Sequence, residues 1–285
     1  MRYYEHRSRK AIWSFRVAVL AVLVFAGAFV WHRFFSLPTP LALKILGAAI
    51  LVAVVSLTLA AAALVSIWND GSIGASKAFF ALLLSAMLLA IPLWSLPQLM
   101  RLPMIYDVTT DLANPPGFDR VAKIRQGQAN PVHYEASFAR QQAAAYPDLK
   151  TLQANRSIAE VYSAVHDAVR ALGWKIIDEQ VPGTVKTGYI EAVDRTWIFG
   201  FTDDVAIRVT GSTKAAKIDV RSSSRFGRHD LGRNANRIRR FVTEVKTRLA
   251  QLDRAERMEK LVASRQAAEK QKAKRNGRRR DEDDD

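Results

Sequence analysis

Three long apolar runs occupy the first hundred residues, at about 11–31, 41–67 and 78–99. A helix needs roughly 20 apolar residues to cross a hydrocarbon core of about 30 Å, and each run reaches that length. Tryptophans, which favour membrane–water interfaces, lie near the ends of the runs at Trp13, Trp31, Trp68 and Trp94. The pattern therefore predicts a membrane domain over residues 1–104 with three transmembrane helices.

The pattern changes to amphipathic segments after about residue 105. Ser157 and Glu160 have the spacing of a capping box, apolar positions recur every three or four residues behind them, and Gly173 ends the segment, which predicts a helix. Four segments that favour strands follow, at about 174–180, 185–195, 204–210 and 217–223. Their alternation of apolar and polar positions is typical of an antiparallel sheet with one covered face.

A long helix is predicted next, with Asp230 at its N-cap. Its apolar stripe consists of Leu231, Ala235, Ile238, Val242, Val245, Leu249 and Leu252. The predicted fold class is thus α+β: three N-terminal transmembrane helices, then a two-layer soluble domain over residues 105–253. In that domain, helices that include the long C-terminal one cover a four-stranded antiparallel sheet. Residues 254–285 are predicted to form a charged helical extension and a disordered tail.

The connection into the soluble domain, residues 101–134, is rich in turn formers and lacks helical periodicity, which predicts extended chain with turns. Within it, Asp107 and Asp111 flank two threonines. We expect these side chains to cap the local backbone in Asx and Ser/Thr turns. The alternative is a functional cluster of carboxylates and hydroxyls.

The formal charge of +15 is unevenly distributed. Residues 1–100 carry 8 Lys and Arg against 2 Asp and Glu, at the edges of the apolar runs, as in a membrane protein and not in a nucleic-acid-binding one. The chain has no cysteine, which excludes disulfides, thiolate metal sites and a cysteine nucleophile. Because the five histidines show no metal-ligand spacing, we expect no metal and no cofactor.

Orientation follows from the basic residues beside the spans. The N-terminal tail carries Arg2, Arg7, Arg9 and Lys10. The two loops carry only Arg33 and Lys77. The positive-inside rule therefore predicts a multi-pass protein with a cytoplasmic N-terminus and an extracytoplasmic C-terminal domain, which lies in the inner (plasma) membrane if the host is a Gram-negative bacterium. The alternative for the first run is a cleaved signal peptide, for which it is long.

Several motifs of the soluble part resemble those of a known family. They are IEAVDRT at 190–196, FGF at 199–201, DDV at 203–205, DVRS at 219–222, SR at 224–225, DLG at 230–232 and RI at 237–238, with Gly227 and Asn234. With DVTTD at 107–111 and the prolines at 115–116, they resemble the family called domain of unknown function 1499 over roughly residues 105–250. The resemblance implies a small α+β domain of bacterial-envelope or plastid type. It implies no established activity and assigns no catalytic role.

Residues 219–240 concentrate arginines, serines, asparagines and glycines between the last strand and the last helix. From Arg221 to Arg248 there are nine Lys and Arg against Asp230 and Glu244. Since a helix N-terminus presents free N–H groups and partial positive charge, a phosphate, a carboxylate or a lipid head group is expected to bind there. The candidate anion-binding residues are Arg221, Ser222, Ser224, Arg225, Arg228, Arg233, Asn234 and Arg237.

The same arginines have a structural alternative, in which they pair with carboxylates on neighbouring strands and fix the sheet to the last helix. The candidate partners are Asp203, Asp204, Glu191 and Asp194. The sequence leaves both interpretations open. Asp203 and Asp204 are adjacent on a strand, so their side chains are predicted to point to opposite faces.

We expect a binding or scaffolding module and not an enzyme, with the lipid bilayer and an anionic lipid or small anion as partners. The alternative is a hydrolase acting on an envelope substrate, with Ser224, His229 and Asp203 or Asp204 in the roles of nucleophile, base and carboxylate. The sequence contains neither a G-x-S-x-G elbow nor a glycine-rich phosphate loop. Nucleic-acid binding is not expected, because only the net charge favours it and the domain would have to lie in the cytoplasm. The sequence identifies no protein partner.

Overall fold

A computed structural model describes residues 6–125, 129–183 and 186–283 of the chain. Four parts of the sequence predictions lie outside these residues: Arg2 in the basic N-terminal tail, residues 126–128 of the connection into the soluble domain, residue 185 at the start of the second predicted strand, and residues 284–285 of the predicted tail.

The N-terminal region forms three helices, α1 (Arg9–Phe34), α2 (Thr39–Asp70) and α3 (Ala75–Arg101), each long and apolar enough to cross a membrane. They contain the three predicted spans. Small side chains line their contacts and let the helices approach closely. At one end these are Ala11, Ala63 and Ala78, and further along Ala21 and Ala53 with Leu88. Because α2 is antiparallel to its neighbours, the ends of α1 and α3 lie beside the start of α2, where the C-terminal domain begins.

The C-terminal domain is built on an antiparallel sheet of six strands within the described residues. They are β1 (Asp107–Thr109), β2 (Leu152–Ala154), β3 (Lys175–Gln180), β4 (Thr187–Arg195), β5 (Thr202–Gly211) and β6 (Ala216–Ser224). Their order is β1-β6-β5-β4-β3, and β2 also pairs with β6. The mixed α+β fold behind three apolar helices is confirmed, but the predicted strand number of four was too low. The two extra strands have three residues each, too few to show an alternation.

Four further helices lie in the described residues of the C-terminal region: α4 (Arg120–Ile124), α5 (Ala136–Ala145), α6 (Ile158–Ala171) and α7 (Arg233–Asp283). The predicted capping box starts α6, since Ser157 Oγ accepts the Glu160 N–H and the Glu160 carboxylate accepts the Ser157 N–H. The last helix continues to Asp283, into the region 254–285 for which the sequence predicts a charged helical extension and a disordered tail. These residues are rich in Ala, Gln, Glu, Lys and Arg, which are strong helix formers.

One face of the sheet is covered by α6 and α7, as predicted. Alternate residues of β5, among them Val205 and Ile207, face Val165 of α6 and both Ile238 and Phe241 of α7 in one buried apolar cluster. This cluster is the main core of the domain.

The opposite face is covered as well, by the segment that connects β1 to α5. Phe118 and Val121 of this segment pack on Ala206 of β5, with Tyr189 and Val193 of β4 around them. The sequence predicts a second layer on one face only. In its described residues, 110–125 and 129–135, the segment is irregular apart from α4, which has five residues, so no periodicity reveals that it is a third layer.

Candidate functional site

The first feature of the 219–240 region is a buried ion pair between Arg221 and Asp107. Arg221 Nη2 lies 2.6 Å from Asp107 Oδ2, and Arg221 Nε donates to Asp107 Oδ1 at 3.0 Å. The guanidinium also donates to the carbonyls of Pro116 and Val132 and lies over the ring of Phe118. Burial raises the pKa of the Asp107 carboxyl, against the opposing effect of Arg221. Asp107, for which the sequence predicts a local turn, thus lies on β1 and neutralises an arginine of the adjacent β6.

A second ion pair on the same face involves Asp204, which is fully buried. Arg225 Nη2 lies 2.7 Å from one carboxylate oxygen, and Arg125 Nε lies 2.7 Å from the other. Arg125 comes from the covering segment and also donates to the Asn130 carbonyl. Arg225 therefore helps to hold the third layer on the sheet.

The remaining carboxylates of this face also hold the covering segment. Glu191 accepts the three backbone N–H groups of residues 119–121 at 2.6–3.1 Å, so it caps α4, and within the described part of the chain it pairs with no arginine. Asp111 accepts the N–H groups of residues 113 and 114, as predicted for an Asx turn, and also pairs with Arg208. Arg208 bridges Asp111 to Asp219.

The face towards α7 holds a different network, centred on Arg237. Its guanidinium contacts the carboxylates of Asp203 and Asp194, the latter at 2.7 Å. It also donates to Ser222 Oγ at 3.0 Å and to Asn234 Oδ1 at 2.7 Å. Burial acts to lower the pKa of Arg237, but the two carboxylates outweigh it and raise that pKa. This network joins β4, β5 and β6 to the first turns of α7, and it leaves Asp203 bonded to an arginine.

Ser224 and His229 line one cavity of about 200 Å³, together with the start of α2. Ser224 Oγ accepts an N–H from Asn234 at 3.0 Å. His229 Nδ1 accepts the Leu231 N–H at 2.9 Å, and its Nε2 lies 3.2 Å from the Leu102 carbonyl. Within the described residues, no Ser224–His229 hydrogen bond forms and no group of three His, Asp or Glu side chains is placed to hold a metal. These contacts position the loop before α7.

The start of α7 is capped by the chain itself. Asp230 accepts the N–H of Gly232 at 2.8 Å and that of Asn234 at 2.9 Å. Burial raises the pKa of this carboxyl, and the two hydrogen bonds act in the opposite direction. Gly232 has a φ of 74°, and a Cβ on it would lie 2.9 Å from Leu102, so the turn requires glycine. Because the Asp230 carboxylate already caps this end of the helix, the side chains around it are the groups available to an external anion.

Such side chains line a cleft of about 620 Å³ between the first two turns of α7, the end of β4 and the start of β3. Its ionisable lining residues are Lys175, Arg195, Arg233, Arg237, Arg240 and Asp194. Asp194 pairs with Arg237, which leaves four cations that are all exposed. Among the residues that the structure describes, none of these four has a carboxylate within 4 Å. The cleft is therefore a concentration of uncompensated positive charge.

The structure separates the eight predicted anion-binding residues. Six of them are engaged in the two networks: Arg221, Ser222, Ser224, Arg225, Asn234 and Arg237. Arg233 lines the cleft, whereas Arg228 is exposed on the loop and does not line it. Sequence reasoning did not single out Lys175, Arg195 and Arg240, because they come from three different elements, which come together only when β3 pairs with β4 and α7 packs on the sheet.

The cleft lies at the end of the domain that faces the apolar helices. The loop between β4 and β5 borders it with Thr196 and Trp197. The same loop rests on the end of α1, where the rings of Phe199 and Phe29 are 5.7 Å apart in an edge-to-face arrangement. A guanidinium N–H of Arg195 also points to the carbonyl of Arg33 at 3.5 Å.

Comparison with known families matches residues 107–245 to the model described as "Protein of unknown function (DUF1499)". The matched region begins at β1 and ends within α7, so it contains both ion-pair networks and the lining of the cleft. Searches of curated proteins and of solved structures find no match to the chain.

Proposed function

We propose that this chain, which belongs through its C-terminal half to the DUF1499 family, is a membrane-anchored binding module of the bacterial cell envelope that holds an anionic phospholipid head group at the start of its last helix. The observation that carries the proposal is the cleft with four exposed cations and one carboxylate, which is already paired. A phosphate would supply the missing negative charge.

The cations suit a phosphate in type and in position. Arg233 and Arg240 are seven residues apart on α7 and so lie on the same helix face, while Lys175 and Arg195 border the same cleft from the start of β3 and the end of β4. Guanidinium groups match the oxygens of a phosphate with two parallel N–H donors. The volume of about 620 Å³ is in the usual range of small-molecule sites, about 300–1,000 Å³.

The position of the cleft favours a lipid over a dissolved anion. Trp197 stands at its edge, and the loop that carries Trp197 rests on α1. Head groups of the surrounding bilayer would therefore be close to the cleft at high local concentration. Inorganic phosphate has the same binding chemistry and serves as the competing ligand in the test.

Replacing both arginines of the α7 face, in Arg233→Ala/Arg240→Ala, should weaken binding of an anionic phospholipid. At about 1 kcal/mol for each Lys or Arg near an anionic lipid, two losses correspond to about 30-fold in affinity. Native mass spectrometry of the full chain in neutral detergent, titrated with phosphatidylglycerol or phosphatidylcholine, measures the lipid retained.

The matched control is Arg254→Ala/Arg257→Ala, which removes the same charge from exposed positions of α7 outside the cleft. It should bind like the unmodified chain. Equal lipid retention by the two double variants would refute the site. Displacement of the lipid by millimolar inorganic phosphate would instead assign the cleft to a dissolved anion.

The proposed topology is a cytoplasmic N-terminus and an extracytoplasmic C-terminal domain in the inner membrane, supported by the basic tail. Because the chain has no cysteine, Lys214→Cys introduces a single exposed thiol on the turn between β5 and β6. A membrane-impermeant maleimide should label this thiol in intact spheroplasts. If the thiol is labelled only after the spheroplasts are lysed, the C-terminal domain lies in the cytoplasm and the proposed orientation is wrong.

A further inference from the structure

The tip of the hairpin between β4 and β5 exposes two large apolar side chains. Trp197 is 86% exposed and Ile198 is 57% exposed. The following Phe199 and Phe201 are ordered against each other, with rings 5.5 Å apart and an angle of 7° between their planes. The loop is thus a stacked aromatic base with an apolar tip, and exposing such a tip to water is unfavourable.

The base of this loop contacts α1 before the C-terminal end of that helix. Phe199 contacts Phe29, which is five residues before the last residue of α1, Phe34. At a rise of 1.5 Å per residue, this contact is about 7–8 Å inside the end of the helix. Side chains on a helix lean towards its N-terminus, so the Phe29 ring lies still further from the C-terminal end of α1, within the apolar run. The loop therefore reaches the depth at which α1 is apolar.

Around this contact, α1 and the residue after it expose further aromatic rings. Trp31, Phe34 and Phe35 are each more than 60% exposed. Aromatic residues of this kind form the belt by which membrane proteins sit in the bilayer interface. Trp197 and Ile198 extend that surface from the helix onto the C-terminal domain.

We infer that the tip of the β4–β5 hairpin inserts into the bilayer interface beside the C-terminal end of α1, with Trp197 and Ile198 in contact with lipid. The domain then has two attachments to the membrane, the covalent one through α3 and the insertion of this loop. Two attachments fix its orientation and keep the cationic cleft, which Trp197 borders, against the head groups. The inference rests on the apolar tip and its depth, and it does not require the cleft to be occupied.

The absence of cysteine from the chain permits a direct test. Ile198→Cys and Trp197→Cys, both at exposed positions, are each labelled with an environment-sensitive fluorophore and reconstituted as the full chain in phosphatidylcholine vesicles. Lys214→Cys is the control, because its exposed turn lies at the other end of the ten-residue strand β5, about 30 Å away at 3.3 Å per residue. The emission of each labelled variant is measured with two quenchers, a lipid that carries a nitroxide at a shallow position of its acyl chain and water-soluble iodide.

Fluorophores at 197 and 198 should show blue-shifted emission that nitroxide lipid quenches and iodide does not. The fluorophore at 214 should emit without a blue shift and should be quenched by iodide but not by nitroxide lipid. Emission at 197 and 198 that matches the control in both respects would overturn the inference. So would protection from both quenchers, which would place a protein surface over the tip. Folding is checked by the melting temperature of each labelled variant.

Discussion

Replacing Arg221 with alanine is expected to lower the free energy of unfolding by about 3–5 kcal/mol. The substitution leaves the Asp107 carboxyl buried without its counter-charge and removes the donors to the carbonyls of Pro116 and Val132. An uncompensated buried charge is much more unfavourable than the loss of the ion pair as a unit. The measurement is denaturant unfolding of the full chain in detergent, followed by the circular dichroism of the C-terminal domain.

Two variants show whether this effect comes from the pair. Asp107→Leu/Arg221→Met removes both charges at similar volume, and it should recover most of the loss, since apolar replacements of buried pairs are often close to neutral. Arg240→Ala, at an exposed position in the cleft, should change stability by less than about 0.5 kcal/mol. If Arg221→Ala proves no more harmful than Arg240→Ala, the pair has no structural role.

Arg237→Ala should produce a loss of similar size, about 3–5 kcal/mol, for a related reason. It deprives Asp203 and Asp194 of their counter-charge and Ser222 and Asn234 of a donor. Because the network joins three strands to α7, the effect should be concentrated at that junction. Hydrogen exchange should accelerate first in residues 234–245 and later in α6.

Arg239 is a matched control for Arg237, because it lies two residues along the same helix. It pairs with Asp148, and both side chains are about half exposed. Exposed pairs contribute about 0–1 kcal/mol, so Arg239→Ala should have a small effect. Arg237→Lys keeps the charge but not the forked geometry, so its stability should be intermediate. Equal losses for the alanine variants at 237 and 239 would show that the buried network contributes nothing special.

Periodicity made much of the fold predictable. The three apolar runs, the capping box at Ser157 and the alternation along β5 each depend on neighbouring residues in the chain. The same alternation predicted that Asp203 and Asp204 point to opposite faces, and they do, since one contacts Arg237 and the other contacts Arg225.

Contacts between distant residues were not predictable in this way. Asp107 and Arg221 are 114 residues apart, and the strand that carries Asp107 has only three residues. The covering segment between β1 and α5 has no periodicity that would predict its position. The contacts of Glu191 and Arg125, which hold it on the sheet, show that it forms a third layer. The cleft depends on the same long-range pairing. For this reason the dense stretch at residues 219–240 contributes to two structural networks and also supplies two exposed arginines, Arg233 and Arg240, to the cleft.

The division of these arginines between architecture and binding is the central claim, and the thermal stabilisation of the full chain by lipid tests it most directly. A ligand that binds the folded state raises the melting temperature in proportion to the logarithm of its concentration over its dissociation constant. In neutral detergent, phosphatidylglycerol should raise the melting temperature of the unmodified chain and of Arg254→Ala/Arg257→Ala above the value in phosphatidylcholine. Arg233→Ala/Arg240→Ala should start from the same melting temperature and gain little. A full gain in that variant would contradict the account.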